Sequence, residues 1–562
     1  MVVHGSGPLL RPAGALAGAL SARADPRAPQ RGSLRAAGVD VRPQPRVPRA
    51  AGDRPGGLPP LHPAAVDGAY DRWGTPSARR LLPPAQRAPR RPPGRERLVG
   101  ERVTGVATPA PVPDDQRAES EREILGIARG GALNIGGQLC SQISFFLITL
   151  LLARTLGRAD VGVYAQGFAF LVLLGLLSLS GFRAGLTRFV AVHLAERDWG
   201  ALRGTVRLGL GLSALASVML GAGLYALSSV LATNVFGDHS VAMALRFVAL
   251  TLPASVFIDA ALSATQGFKT MKAYATIGLI FEPGLRLALT AGALAVGWGL
   301  HGALIALVTS NYVGAALAAL ALRRLMAGPR AAPRYDVRQL FVFSTVSWMA
   351  SLASAGLIWA DTILLGAYKT SADVGVYQVA TRMVMLAAFV MTPVNAAFAP
   401  RIADLYQRHR SESLRHTYVA ATSWILRLSL PAFVLCMVMP KALLSLFGHR
   451  FDTDAAVTVI LVLSVGKLVD SATGPCGLML NMSGRPGLSL FDNVVVLVTN
   501  VALNVWLIPK HGIVGSAYAW AISLALVNVL RCSRLASARR RRWSRRRQRR
   551  PRVWPSSTGE CR

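Results

Sequence analysis

Apolar and polar positions along the chain fall into long blocks, not short alternations. Between Gly131 and Leu530 there are twelve apolar runs of roughly 18 to 27 residues, each long enough to cross a hydrocarbon core of about 30 Å at about 1.5 Å per residue. They lie at about 131–156, 161–180, 206–231, 241–265, 273–297, 300–322, 340–366, 374–397, 420–439, 455–480, 488–507 and 513–530. Lipid offers no water to backbone N–H and C=O groups, so each run is expected to be a helix. The predicted fold class is an all-α integral membrane protein with twelve transmembrane helices.

Composition agrees with the pattern. Of 562 residues, 52% are hydrophobic and 16% charged, where a soluble domain uses about a quarter for charge. Much of the surface must therefore face lipid, which excludes an ordinary soluble enzyme. The formal net charge is +34, and most of it sits at the two ends. Residues 1–122 are rich in Pro and Arg without apolar periodicity, and are expected to form a disordered cytoplasmic tail. A faint secretory-signal pattern at 11–24 is interrupted by Pro12, and its cleavage would invert the orientation read below. Residues 532–562 form a second, Arg-rich cytoplasmic tail. Five cysteines include Cys140, Cys436 and Cys476 inside apolar runs, where a thiol reads as a small core residue.

The links orient the chain. Those after even-numbered runs carry Arg188, Arg197 and Arg203, then Lys269 and Lys272, then Arg323, Arg324, Arg330, Arg334 and Arg338, then Arg401, Arg408, Arg410 and Arg415, then Arg485. The odd links are short and nearly neutral. The positive-inside rule then puts both termini in the cytoplasm, as an even span count requires, and predicts a multi-pass plasma-membrane protein.

The chain also repeats itself. Ala159-Asp160-Val161-Gly162-Val163-Tyr164 recurs as Ala372-Asp373-Val374-Gly375-Val376-Tyr377, and Phe281-Glu282 and His301-Gly302 are matched by Phe491-Asp492 and His511-Gly512. The offsets of 213 and 210 indicate tandem duplication of a six-helix unit. Six is even, so the copies are two parallel-repeat six-helix bundles, a lobe at 123–323 and a lobe at 339–531 joined by a cytoplasmic linker at 324–338. Two bundles able to rock about a central cavity suggest a transporter.

Three further stretches carry a resemblance. They are Ala360-Asp361-Thr362-Ile363-Leu364-Leu365-Gly366 followed by Val374-Gly375-Val376-Tyr377, then Gly474-Pro475 through Leu480-Asn481-Met482-Ser483-Gly484-Arg485, then Leu507-Ile508-Pro509-Lys510-His511-Gly512-Ile513-Val514-Gly515-Ser516-Ala517. Over about 124–530 the chain resembles the Wzx-type polysaccharide and O-antigen flippases of the multidrug/oligosaccharidyl-lipid/polysaccharide exporter superfamily. The long N-terminal tail and the Arg-rich C-terminus depart from that pattern, and twelve spans instead of fourteen argue against its lipid II flippase branch. The resemblance implies a flippase that moves a polyprenyl-pyrophosphate-linked oligosaccharide by alternating access, with no cofactor and no covalent chemistry.

Ionisable residues at membrane depth are expensive and point to function. Glu282 and Arg286 stand four apart on one helix face. Either they form an internal ion pair, or Glu282 holds Arg286 toward a cavity where its planar fork suits phosphate oxygens. Pro283 between them should bend the helix. Lys467 and Asp470 are three apart and read first as a structural pair. Asp361 and Arg382 lie on neighbouring spans, which brings a contact between them within reach. Arg246 is near a span end and suits snorkelling. Arg183 and Arg188 read either as topological anchors or as hosts for an incoming anionic headgroup. Asp492, Asn493, Asn500 and Asn504 form a polar stripe suited to helix-to-helix hydrogen bonding.

The substrate-binding candidates are therefore Arg286, Arg382, Glu282, Asp361, Lys467, Asp470, Arg183 and Arg188, with no catalytic and no metal residues. Basic groups favour an anionic cargo. There is no P-loop, zinc spacing or Ser/His/Asp constellation to support an enzyme. The alternative is a cation-coupled multidrug exporter of the same superfamily, disfavoured because the first run has Asn134, Gln138 and Gln142 but no acid. A major-facilitator porter lacks its acidic-basic signature in 186–203. The arginine run at 539–552 follows the last span directly, so anionic membrane lipids are its expected partner and nucleic acid is not. A polysaccharide polymerase or glycosyltransferases are the further partners such a flippase implies.

Overall fold

The computed structural model describes residues 114–548, apart from 330, 390, 409 and 483–485. Most of the tail expected at 1–122 and the end of the C-terminal one lie outside the described residues. The first helix, α1, already begins at Asp114 and runs to Thr155, so 114–122 belong to it. It is followed by α2 (Arg158–Leu179), a short α3 (Phe182–Ala195), α4 (Trp199–Asn234) and α5 (His239–Gly267). A π-helical segment, Tyr274–Phe281, leads into α6 (Glu282–Ala295), and α7 (Gly299–Leu325) closes the first half. The second half holds α8 (Val337–Tyr368), α9 (Ser371–Ala388), α10 (Met391–Gln407), α11 (Ser411–Val438), a short α12 (Pro440–Ser445), α13 (Asp454–Thr473), α14 (Cys476–Met482) and α15 (Pro486–Gln548).

Among the described residues, ten helices are long and apolar enough to cross a membrane, or eleven if α9 and α10, bent by 42°, count as one span. One of the ten is the 49-residue stretch Gly487–Leu535, over twice the length a crossing needs. It is not straight. Gly512 has the left-handed φ of 59°, and a methyl group on Gly515 would overlap the Leu507 carbonyl, so the chain folds back on itself there. Gly299 and Gly302 do the same at the head of α7, with φ 58° at Gly299. These turns stand 213 residues apart, the hexapeptide's offset. The His-Gly match at 210 is therefore not the register in which the turns correspond.

Two other expectations change in detail. The run at 455–480 is broken: α13 stops at Thr473, Gly474 takes φ 74°, and Pro475 has no N–H with which to continue the helix. The bend expected from Pro283 takes the form of the π-helical turns before it, where the Glu282 N–H reaches back five residues to Ile277.

The helices hold together as lipid-immersed helices must, by close approach of small residues. On α4 the buried face is Gly209, Ser213, Ser217, Gly221, Leu224, Ser228 and Ala232, whereas Leu215, Val218, Met219 and Leu227 are exposed. Each half packs within itself, α4 and α7 on α5 and α6 on α7 in the first, α8 and α13 on α15 in the second. The halves meet where α2 lies along α9 and α8.

The links gather on two faces. On one, Arg154 donates to the Leu446 carbonyl at 2.7 Å, Gly299 approaches Leu156, and Arg158, Lys369, Thr453 and His511 surround one cavity of about 320 Å³. On the other, Arg334 pairs with Asp198, Arg203 donates to the Gly328 carbonyl at 3.0 Å, and Gly130 lies against Met271. The repeated hexapeptides cross at the first face. A methyl group on Gly162 would overlap the Ser371 carbonyl, and one on Gly375 the Arg158 carbonyl. Ser371 also donates to Asp238 at 2.5 Å and accepts from Gln166 at 3.3 Å. Burial pushes the Asp238 carboxyl up, but hydrogen bonds from Ser240 and Ser371 more than offset this and hold it below the usual carboxylate range.

Candidate functional site

Two of the intramembrane arginines, Arg286 and Arg382, are brought to the seam between the halves. Arg286 comes from α6 and Arg382 from α9, and both lie over the Phe145 ring of α1, at 5.9 and 3.9 Å from its centroid. Phe168 of α2 lies tilted between two rings, its ring centroid 4.9 Å from that of Phe145 and 5.4 Å from that of Trp359 of α8. Arg286 also lies 5.4 Å from Phe168, and Arg382 5.3 Å from Trp359. The faces of the three rings accept the guanidinium charges, for Arg286 alongside the Glu282 carboxylate. Such contacts leave most N–H donors available to an anion.

Glu282 is 9% exposed and sits 3.9 Å from Arg286 Nε, while Ser310 and Asn311 of α7 donate to its Oε1 at 3.1 and 3.3 Å. The carboxylate is thus anchored mainly by α7 and holds Arg286 loosely. Arg286 Nε has no hydrogen-bond partner among the described residues, and neither has the buried hydroxyl of Tyr164, which lies within electrostatic reach of Arg286, Glu282 and Arg382. Tyr164 ends the first copy of the hexapeptide. Two cations and an unpaired hydroxyl in one buried place suit an anion with several acceptor oxygens.

Asp361 does not pair with Arg382. It is 1% exposed and accepts from Tyr377 Oη at 3.0 Å and Asn504 Nδ2 at 2.8 Å, while Arg382 donates to Gln378 at 3.4 Å. The helix rotations turn Asp361 toward α15, and Tyr377, which ends the second hexapeptide, intervenes. Lys467 and Asp470 do pair, at 3.1 Å. Asp470 also accepts from Asn528 at 2.9 Å, and Lys467 lies over Trp520, so this pair joins α13 to α15 away from the seam. The polar stripe bonds helix to helix: Asn504 to Asp361, Asn493 to Ser354 at 3.0 Å, and Asp492 to Arg534 at 2.7 Å. Arg246 reaches Ser228 and Ser229 on α4 at 3.2 and 2.8 Å.

Arg183 and Arg188 line a cavity of about 430 Å³ on the face opposite the crossed hexapeptides, with Gln266, Ser347, Trp348 and Ser351 among its walls. Arg183 donates to Tyr274 at 2.9 Å, and the Asp259 carboxylate nearby holds its guanidinium more firmly protonated. Arg188 rests over Phe343 at 4.4 Å. The arginine candidates therefore occupy two places, one buried at the seam and one at an open mouth. Among the described residues no three His, Cys, Asp or Glu side chains converge as a metal site would require.

Sequence reading missed Phe145, Phe168 and Trp359, whose signal is slight: aromatic residues within apolar runs, one of them two positions before Asp361. It found the hexapeptide tyrosines without seeing that one serves the arginine cluster and the other the buried aspartate.

Residues 127–406 match the family described as polysaccharide biosynthesis protein, and residues 347–506 match the MatE family. The chain is similar to two proteins of Haloferax volcanii. It is 28% identical over 200 residues to the probable flippase AglR, covering 35% of this chain and 42% of that protein's length. It is 25% identical over 411 residues to the probable low-salt glycan biosynthesis flippase Agl15, covering 70% of this chain and 80% of that protein. Among solved structures, an inward-facing multidrug resistance MATE transporter superposes with a TM-score of 0.60 at 16% identity, covering 71% of this chain and 96% of that one. The lipid II flippase MurJ, in an inward closed conformation, gives 0.58 at 13% identity, covering 70% and 86%. The chain is thus a multi-pass membrane protein whose fold resembles that of these transporters.

Proposed function

We propose that this protein is a flippase that carries a polyprenyl-pyrophosphate-linked oligosaccharide from the cytoplasmic to the outer leaflet of the plasma membrane, for cell-surface polysaccharide assembly. The observation that carries the reading is the meeting of Arg286 and Arg382, one from each half, on the shared ring of Phe145. A pyrophosphate presents several anionic oxygens and bridges two guanidinium forks well. The mouth at Arg183 and Arg188 receives the headgroup from the cytoplasm, the seam arginines hold it, and the lobes rock while the lipid tail stays in the bilayer. Names of the curated relatives support this cargo class.

The supporting topology is twelve crossings in two lobes, 123–323 and 339–531, with the 49-residue stretch counted twice. Gly512 lies beside Arg158, Lys369 and Thr453, on the face that collects the odd links, as a fold-back requires. Both termini are then cytoplasmic. The C-terminal arginines meet anionic headgroups, and a polymerase or glycosyltransferases act before and after the flip. Catalytic and metal residues have no part in this scheme.

The test is to replace Arg286 and Arg382 separately by Gln. Each loses one charge-assisted set of bonds, and transport should fall by about tenfold or more, with lipid-linked sugar accumulating on the cytoplasmic leaflet. Unchanged surface glycan together with altered dye efflux would instead favour the cation-coupled exporter.

A further inference from the structure

Two thiols of the second half lie in contact on the face away from the crossed hexapeptides. Cys476 Sγ, at the first residue of α14, stands 3.0 Å from Cys532 Sγ in the C-terminal limb of α15. Both are reduced, and neither is used by the transport scheme. Cys476 is 1% exposed; its sulfur also meets the Tyr418 hydroxyl of α11 at 2.9 Å and the Thr473 carbonyl at 3.3 Å. Cys532 is partly exposed and offers the way in for a small reagent. The Arg531 guanidinium lies beside Gly477 and bonds Asn493 at 2.7 Å, which puts a positive charge next to the pair.

We propose that Cys476 and Cys532 form a redox modification site, a dithiol that closes to a disulfide when a low-molecular-weight disulfide is the oxidant. The thiolate of Cys532 attacks the small disulfide, one of its sulfurs leaves as a thiol, and Cys476 displaces the second. One S–S bond forms in the protein as one breaks in the reagent. The two electrons and two protons lost by the cysteines leave on two reagent thiols. The sulfurs need to close by about 1 Å to reach bonding distance. Closure ties α14 to the C-terminal limb of α15 across the broken end of α13, and α14 packs on α10, so the bond stiffens that corner of the second lobe. It joins nothing across the seam and rests on no part of the transport reading.

The experiment uses the full chain in lipid nanodiscs, titrated with oxidised glutathione, alkylated with N-ethylmaleimide, digested and weighed. The expected result is a peptide pair joined through Cys476 and Cys532, lost on reduction, while Cys140 and Cys436 remain alkylated. Oxidation should also raise the thermal midpoint of the wild type and leave that of Cys532→Ser unchanged, with Cys476→Ala as the second control. Recovery of both cysteines alkylated after oxidation, or each as a separate glutathione adduct, or either joined to a different cysteine, would overturn the assignment.

Discussion

Phe145 is the residue on which the site turns, because it supports both seam arginines at once. Replacing it by Ala removes two cation–π contacts of about 0.5–2 kcal/mol each in a desolvated place. Transport should fall for Phe145→Ala while Phe145→Tyr retains most of it, as read by flipping of a fluorescent lipid-linked sugar in proteoliposomes. Asp361 is a different case. Its substitution by Ala strands the donors of Tyr377 and Asn504 in a buried setting, at a cost of about 1–3 kcal/mol. Asn offers a carbonyl in the same place, so thermal unfolding should rank wild type above Asp361→Asn and that above Asp361→Ala. Neither residue's role was legible from its neighbours in sequence. Arg286 was found because charge in an apolar run is conspicuous; Phe145 was hidden because an aromatic ring in such a run is not.

At the scale of helices, the crossing of α2 and α9 depends on two glycines without room for a methyl group. Gly162→Ala or Gly375→Ala overpacks that contact, typically at about 1–3 kcal/mol, and should force the outer ends of the lobes apart. Increased labelling of a cysteine placed at Gln166 by a membrane-impermeant maleimide added from outside would report it; unchanged labelling would remove the glycines from this role. The Asp238–Ser371 bond assists the same closure. The Asp238 carboxyl sits below its ordinary value, so its contribution is fully present above that value and is lost only as pH falls through the lowered one. Closure measured by this labelling should accordingly be unchanged between about pH 5 and 8. The hexapeptide repeat signalled that these segments correspond, but that the two copies touch each other is a fact of packing.

For the whole molecule, the proposed alternating access has the lobes part at one face as they close at the other. A disulfide between Asp238→Cys and Ser371→Cys, whose native side chains are bonded, should stop transport on oxidation and restore it on reduction. Persistent flipping by the cross-linked protein would rule out rocking about this face. Deleting residues 539–562 should leave transport intact if the arginine run serves only lipid attachment.

Taken alone, the sequence determined that the protein lives in the bilayer, roughly where its apolar helices lie and which charges are anomalous. Those are properties of position along a line: the cost of exposing backbone or charge to lipid is set locally, residue by residue. The tertiary structure decided who pairs with whom. Whether Asp361 meets Arg382 or Asn504, and whether Arg286 reaches aromatic rings beyond its own helix as well as Glu282, depends on the rotation of each helix about its axis. Small residues at the crossings, such as Gly162, Gly375 and the serine stripe of α4, set those rotations. The same principle splits the run at 455–480 and folds α15 at Gly512, since Gly and Pro there change the chain's direction without altering how apolar it is.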